Sequence, residues 1–499
     1  MSSKTPHWKL LGLVTVALAL GAGPATGGTH ARHATRQAQA RPNIVFVLTD
    51  DLAWNLVDYM PRVRQMQREG TTFTNYFVTD SLCCPSRASI LTGKYPHDTG
   101  VFTNGGNDGG FHLFHERGEE ENTFATRLQA RGYVTAMMGK YLNGYTPAAL
   151  VDGRQAYVPP GWNEWDVAGD GYPEFYYTLN ENGRLGHYGA RPQDYLTDVL
   201  ANKGAAFINR AAAARKPFLL EIATFAPHSP YTPAPRDAND FPGLEAPRTP
   251  AFDEADMSDK PAWLRNHALL NDTQIAGIDA AFRKRAQAVE AIDDLIGQLQ
   301  ATVALDGVAR DTYFFFSSDN GYHMGEHRLT PGKQTAFDID IRVPLIVTGP
   351  GVTAGKTVTH IAQNIDLCPT FVQLARASVA PSVDGQSLVP LLRAQPAPSW
   401  RDAALVEHHG PNVTPSDPDA PQPGSGNPTT YEALRLPGST YVEYANGERE
   451  FYDLRADPDE LTNSASQLTS SRLASLHSRL AALENCHSSA SCRQAAGPG

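Results

Sequence analysis

Short apolar runs alternate with helical stretches along most of the chain, and two of the runs stop on carboxylates. Residues 43–49 (NIVFVLT) lead directly into Asp50-Asp51, and residues 312–317 (TYFFFS) lead through Ser318 into Asp319-Asn320. Apolar runs of this length, rich in β-branched and aromatic residues, read as strands buried on both faces. Residues 133–138, 218–224 and 344–348 repeat the pattern. Between them, residues 61–69, 122–131 and 195–214 read as helices. Ala286, Val289, Ile292, Leu295, Ile296 and Leu299 recur at helical spacing. The alternation predicts an α/β body with a mostly parallel sheet flanked by helices. Ligands of such sheets gather beyond the carboxyl ends of the strands. Asp50, Asp51, Lys140, Asp319 and Asn320 all follow predicted strands, so they can meet on one sheet edge despite their separation in sequence.

At 499 residues the chain suits one large domain with a smaller companion. A Pro/Gly/Ser/Asp-rich stretch at 410–429 predicts a long surface loop. Residues 440–444 and 449–454, joined across Asn446-Gly447, predict a β-hairpin. Leu473, Leu476, Leu480 and Leu483 predict a final amphipathic helix. The expected layout is a main domain over 41–400, an antiparallel C-terminal subdomain over 401–485 and a tail over 486–499. At the other end, Lys4 and Lys9 precede an apolar run at 10–22 and small residues at 23–28. This predicts a secretory signal over 1–28, a flexible lead-in over 29–40, and an extracytoplasmic mature protein. No later apolar run approaches the roughly 20 residues that span a bilayer, so no transmembrane segment is expected in the mature form. The net charge of −11 argues against a nucleic-acid partner, although a local basic cluster can still bind a small anion.

Five cysteines are present. Cys486 and Cys492 are spaced to allow a small disulfide loop in an oxidising compartment. Cys368 is expected to pack as a small buried residue. Adjacent Cys83 and Cys84 are poorly placed to bond each other, so a secreted chain needs another reason to keep them.

The segment Cys83-Cys-Pro-Ser-Arg-Ala-Ser-Ile-Leu-Thr-Gly93 resembles the signature of the type I sulfatases, in which Cys-x-Pro-x-Arg directs oxidation of the first cysteine to formylglycine. The resemblance extends over roughly 41–463. It includes Asp50-Asp51, Gly139-Lys140, Ala226-Pro-His228, Ser318-Asp-Asn-Gly321, Lys333, Arg342-Val-Pro344 and Tyr452-Asp-Leu454. Within the family, Gly139-Lys-Tyr-Leu-Asn143 and Asp319-Asn-Gly-Tyr-His323 are most similar to the N-acetylglucosamine-6-sulfatase branch. The resemblance implies an alkaline-phosphatase-like fold and hydrolysis of a sulfate ester, on a sugar such as N-acetylglucosamine 6-sulfate. It also implies a formylglycine at position 83 and a formylglycine-generating enzyme as maturation partner. One hydroxyl of the hydrated aldehyde attacks sulfur, and the other expels sulfate from the covalent sulfo-enzyme. Asp50, Asp51, Asp319 and Asn320 offer hard oxygen ligands that select Ca²⁺ or Mg²⁺ over Zn²⁺, and the resemblance favours one Ca²⁺ that also touches residue 83.

By the same resemblance, Asp319 takes the attacking proton and Arg87 holds the formylglycine and metal surroundings. Lys140 and Lys333 contact the sulfate, and Lys333 or His228 serves the leaving oxygen. One position departs from many sulfatases: Leu142 stands where a histidine usually follows the Gly-Lys pair. His323 is the candidate base for sulfate release and a candidate substrate contact. His97 and His327 are candidates for either the cleft or the framework. Two alternatives share the fold and nucleophile, namely an arylsulfatase of broad specificity and a phosphodiester or phosphonate monoester hydrolase.

Overall fold

The computed structural model describes residues 41–497 except 414–416 and 418. The expected signal and lead-in lie outside the described residues. A ten-stranded sheet runs through the described body. Its centre is five parallel strands in the order Thr312–Ser318, Asn43–Thr49, Phe218–Ala223, Val134–Lys140 and Glu164–Ala168. Leu345–Thr348 joins one side antiparallel, and the Thr178–Glu181 and Arg184–His187 hairpin closes the other.

Both faces are covered, as the continuous apolar runs require. Ile44, Phe46 and Leu48 point into one core, which also holds Ala88, Leu128 and Phe371. Val45 and Val47 point into the opposite core, under helices Leu196–Ala213 and Asp272–Leu305. The period of two along one strand thus serves two separate helix layers. The expected helices and strands at 61–69, 133–138, 195–214, 218–224, 312–317 and 344–348 are present within a few residues. Residues 122–131 divide instead. Thr123 caps Phe124–Ala130, its side chain accepting from the Thr126 N–H, and a separate turn of 3-10 helix precedes it.

The C-terminal part forms a four-stranded antiparallel sheet, Ala404–His408, Tyr431–Leu436, Ser439–Tyr444 and Arg449–Asp453. The hairpin predicted around Asn446-Gly447 is its last pair, with Gly447 at φ 87°. One face of this sheet, through Val406, Ala433 and Val442, is continuous with the main core. The other holds Leu405, Leu434 and Tyr441 against helix Ser470–Glu484. That helix is not the last. Ser489–Ala495 follows it, tied back by a Cys486–Cys492 disulfide, so much of the expected tail is packed structure. Cys368 is buried as expected. No helix among the described residues is long and apolar enough to cross a membrane.

Candidate active site

Parallel pairing aligns Thr49 with Ser318, and the next residue on each strand is a carboxylate. Asp50 and Asp319 therefore leave the sheet side by side. Two strands away Val134–Lys140 ends on Lys140, whose Nζ lies 2.6 Å from Asp50 Oδ2. Gly139 just before it has φ 98°, and a Cβ there would stand 1.9 Å from the Ala223 carbonyl oxygen. Only glycine lets this strand approach its neighbour and still present the lysine.

Asp51 turns off the strand at φ 63°. Its N–H donates to Asp319 Oδ1 (3.1 Å), and its Oδ1 accepts from Asn320 Nδ2 (2.7 Å) and Lys333 Nζ (2.7 Å). Cys83 opens helix Cys83–Thr92, which is buried throughout, and Leu82 caps it in an extended conformation. The thiol lies 3.1 Å from Asp50 Oδ1 and 2.9 Å from Lys333 Nζ. One helical turn on, Arg87 donates from Nε to Asp319 Oδ2 (2.8 Å) and from Nη1 to the Lys140 carbonyl (2.9 Å). The one-turn spacing of Cys83 and Arg87 places both on the same helix face.

Asp50, Asp51, Cys83 and Asp319 bring one ligand atom each within 4.8 Å of one another, all fully buried. Asn320 Oδ1 is buried beside them without a hydrogen-bond partner. Three carboxylates and an orphaned amide oxygen in a buried site form a hard donor set that fits a divalent metal ion. Burial first, then the charges of Asp319, Asp419 and Asp50, push the Cys83 thiol well above its ordinary value, so the unmodified side chain stays protonated. Burial opposes the charges of Lys140 and Lys333. The carboxylates outweigh it, Asp50 foremost for Lys140 and Asp419 foremost for Lys333, and raise both. His228 is likewise raised, burial opposing and Asp51 and Asp419 prevailing. Lys140 and Lys333 thus stay charged beside the thiol, each matched by a buried carboxylate.

His228 joins this cluster. Its Nε2 lies 3.5 Å from Asp51 Oδ2, and its Nδ1 meets the Ser229 carbonyl at 2.8 Å. His323 does not join it. Its Nδ1 meets Asp340 at 2.9 Å and its Nε2 meets the Ser425 carbonyl at 2.9 Å, so both ring nitrogens are occupied behind the pocket wall. His97 bonds Glu407 and the Cys486 carbonyl, and His327 bonds Glu254 and stacks on Phe337. Both make framework contacts. Leu142 packs in the core, while the next residue, Asn143, reaches the site.

Three further residues belong to the site that the sequence did not single out. Asp419 arrives from the loop at 410–429. Arg285, buried on helix Asp272–Leu305, bonds the Asp51 and Pro227 carbonyls and stacks on Tyr322, with 4.2 Å to the ring centroid. It holds the backbone on which Asp51 and His228 sit. Tyr172 lies under Lys140, with 4.9 Å from Nζ to its ring centroid. Their signals were weak: an Asp in a low-complexity loop, an Arg on a long helix, a Tyr in irregular chain. A cavity of about 590 Å³ opens over Asp51, His228, Lys333 and Asp419, large enough for a sugar ring.

The comparisons agree with this geometry. The sulfatase family model matches residues 42–377, and that of the C-terminal part of N-sulphoglucosamine sulphohydrolase matches 325–486. The human N-acetylglucosamine-6-sulfatase is 36% identical over 480 residues, covering 91% of this chain and 86% of its own. An arylsulfatase of Volvox carteri is 31% identical over 506 residues, covering 90% of this chain and 75% of its own. Among solved structures, a protein in complex with its substrate D-glucosamine-2-N,6-O-disulfate superposes with a TM-score of 0.72 at 24% identity, covering 89% of this chain and 97% of that one. The phosphonate monoester hydrolase of Agrobacterium radiobacter reaches 0.67 at 20% identity, covering 88% and 96%, a likeness of fold alone. Motif, sheet-edge geometry and matched length agree: the chain belongs to the type I sulfatase family, in the branch of the N-acetylglucosamine-6-sulfatases.

Proposed function

We propose that this sulfatase hydrolyses a sulfate ester on a sugar, of the N-acetylglucosamine 6-sulfate type, with residue 83 as its nucleophile. The observation that carries the reading is the position of Cys83. It stands at the start of a buried helix, within 3.1 Å of Asp50 and 2.9 Å of Lys333, where no ordinary thiol would be ionised. Oxidation of this side chain to formylglycine and its hydration supply a hydroxyl in place of a thiol that burial holds neutral. Asp50, Asp51, Asp319 and Asn320 would hold a calcium ion there, which would supply Lewis-acid stabilisation of negative charge.

The chain's own residues do the rest. Arg87 fixes Asp319 in the orientation that lets it accept the proton of the attacking group. Lys333, 2.9 Å from the residue 83 sulfur, and Lys140, bonded to the neighbouring Asp50, offset the charge that gathers on the sulfate oxygens during transfer. His228, its Nδ1 anchored on the Ser229 carbonyl, presents Nε2 to the pocket, where it or Lys333 serves the leaving oxygen. Leu142 leaves the base for sulfate release unassigned by sequence. His323 remains the candidate only if its bonds to Asp340 and Ser425 rearrange on binding. Secretion by the N-terminal signal, and maturation by a formylglycine-generating enzyme, belong to the same reading.

Mass spectrometry of the tryptic peptide containing residue 83 tests it, alongside rates on N-acetylglucosamine 6-sulfate, p-nitrophenyl sulfate and a phosphate diester. An aldehyde or its hydrate at 83 and fastest turnover of the sulfated sugar are expected. Active enzyme with an intact thiol there, or faster phosphodiester cleavage, overturns the reading.

A further inference from the structure

Lys140 and Lys333 reach the site by different means. Lys140 ends a strand and is paired with Ala168 in the sheet, so the ladder fixes its backbone. Lys333 has no ladder: the described stretch 319–337 forms neither helix nor strand. Its Nζ nevertheless meets Asp51 Oδ1 at 2.7 Å and Cys83 Sγ at 2.9 Å. The next residue, Gln334, takes a left-handed φ of 79°, a conformation that a non-glycine residue keeps only where its surroundings impose it. Its N–H donates to the Ser81 carbonyl at 3.2 Å, and its carbonyl accepts from the Tyr431 hydroxyl at 3.0 Å.

The side chain that gathers this stretch is Asp340, wholly buried in the short helix Asp338–Ile341. Its Oδ2 accepts from the Thr335 N–H at 3.1 Å and from Thr335 Oγ1 at 2.6 Å. The same oxygen meets His323 Nδ1 at 2.9 Å, while His323 Nε2 faces the Ser425 carbonyl at 2.9 Å. Both ring nitrogens face acceptors, so both carry protons and neither offers a lone pair. Backbone bonds complete the frame. His323 and Gly332 exchange N–H···O bonds of 2.9 and 3.2 Å, and the Gly321 N–H donates to the Asp340 carbonyl at 2.8 Å. A Cβ at Gly321 would stand 2.0 Å from the Ile339 carbonyl oxygen, so glycine is needed for this approach. One carboxylate thus ties the segment that follows Asp319-Asn320 to the segment that carries Lys333. With no water to replace it, the donors that converge on it have no other partner of equal strength.

We propose that Asp340 is a positioning residue for sulfate transfer: through Thr335 and His323 it fixes residues 332–335 against the end of strand Thr312–Ser318, and so sets the Lys333 ammonium on Asp51 and residue 83. This deepens the sulfatase reading and rests on it. His323 then belongs to the frame of Lys333 and takes no proton from the reacting group.

The test is a double-mutant cycle on calcium-loaded enzyme, reading kcat/KM for p-nitrophenyl sulfate in wild type, Asp340→Asn, Lys333→Ala and the double variant. Asp340→Asn is expected to lower kcat/KM about tenfold or more, since a misplacement of about 1 Å at a transferring group can cost about 10²-fold. In the Lys333→Ala background the same substitution is expected to change it by less than about twofold, because the group it positions is gone. Equal losses in both backgrounds would mark general support of the fold and overturn the proposal, as would no loss in the single variant. Calcium affinity is expected to stay within about twofold of wild type. A larger fall would show that Asp340 holds the metal cluster instead, and overturns it too. Thr335→Val removes one donor at nearly constant volume and carries the same cycle if Asp340→Asn does not fold. His323→Asn is expected to follow Asp340→Asn, with no sulfate ester building up on residue 83. Mass spectra showing such a build-up would mark His323 as the base for sulfate release and overturn the proposal. Should wild type hydrolyse no sulfate ester, the sulfatase reading fails. Calorimetry with inorganic sulfate then still decides whether Asp340 sets Lys333: about tenfold weaker binding in Asp340→Asn is expected, and unchanged binding overturns it.

Discussion

Thr49 and Ser318 are paired in register on adjacent parallel strands, so the carboxylates of Asp50 and Asp319, 269 positions apart in sequence, emerge together. A one-residue slip would turn every side chain of the strand to the other face and send one of the two carboxylates into a helix layer. The apolar residues that alternate into the two cores hold that register. The packing of the sheet thus fixes the geometry of the acidic cluster.

Residue 83, the proposed nucleophile, gives the first prediction. Cys83→Ala removes one sulfur from a buried helix start and leaves the caps and packing of Cys83–Thr92 in place. The variant is expected to fold with a native circular dichroism spectrum and to lose turnover by about 10³-fold or more. Cys84→Ala, at the variable position of the motif, is expected to keep its formylglycine when mass spectra of the two variants are compared.

The acidic cluster gives the second. Asp50, Asp51 and Asp319 are held together by lysines, an arginine and, on this reading, a calcium ion. Chelation is expected to lower both the activity and the melting temperature, since an ion bound only by the folded state stabilises it. Added Ca²⁺ should restore both. Asp319→Asn should weaken calcium binding by titration and cut kcat by about 10²-fold.

Lys333 bridges Asp51 and Cys83, whereas Lys140 bonds Asp50. Lys333→Ala and Lys140→Ala are each expected to reduce kcat/KM by about 10²–10³-fold, or ~3–4 kcal/mol, the usual loss when a preorganised charge at the transferring group is removed. Arg would restore charge but not the compact ammonium geometry, so Lys333→Arg is expected to recover little. Steady-state kinetics on a sulfated sugar check both.

His97 supplies a prediction about pH and stability. Burial opposes its charge, but the hydrogen bond and charge of Glu407 prevail and push its pKa up to about 9, from 6.5. A histidine raised in the folded state stabilises fully below the unfolded value and loses that contribution as pH rises through the folded one. The difference in melting temperature between wild type and His97→Gln should therefore be greatest below about pH 6.5 and shrink towards pH 9. A constant difference across that range would show that the pair is not ionised.

The disulfide closes a short loop, six residues from Cys486 to Cys492. Chain-entropy arguments for so short a loop give about 2 kcal/mol. Cys486→Ser with Cys492→Ser is expected to lower stability in denaturant titrations by that order and to leave turnover nearly intact, since the loop packs on the antiparallel sheet away from Asp50 and Asp319.

The sequence by itself determined the local chemistry. The alternation of buried runs and helical stretches specified the sheet. The Cys83–Gly93 signature put Cys83 and Arg87 on one helix face, and the strand-end positions brought forward Asp50, Asp51, Lys140, Asp319 and Asn320. These are local signals, carried by periodicity, by spacing within a helical turn or by a contiguous motif. The tertiary structure alone decided which distant groups face one another. It brought Asp419 from a low-complexity loop onto Lys333 and His228, placed Arg285 beneath the Asp51 backbone, and turned His323 toward Asp340 instead of toward residue 83. No pattern in a loop or on one helix encodes such contacts. They follow from how whole layers pack, and from the need of every buried charge to find a partner once water is gone.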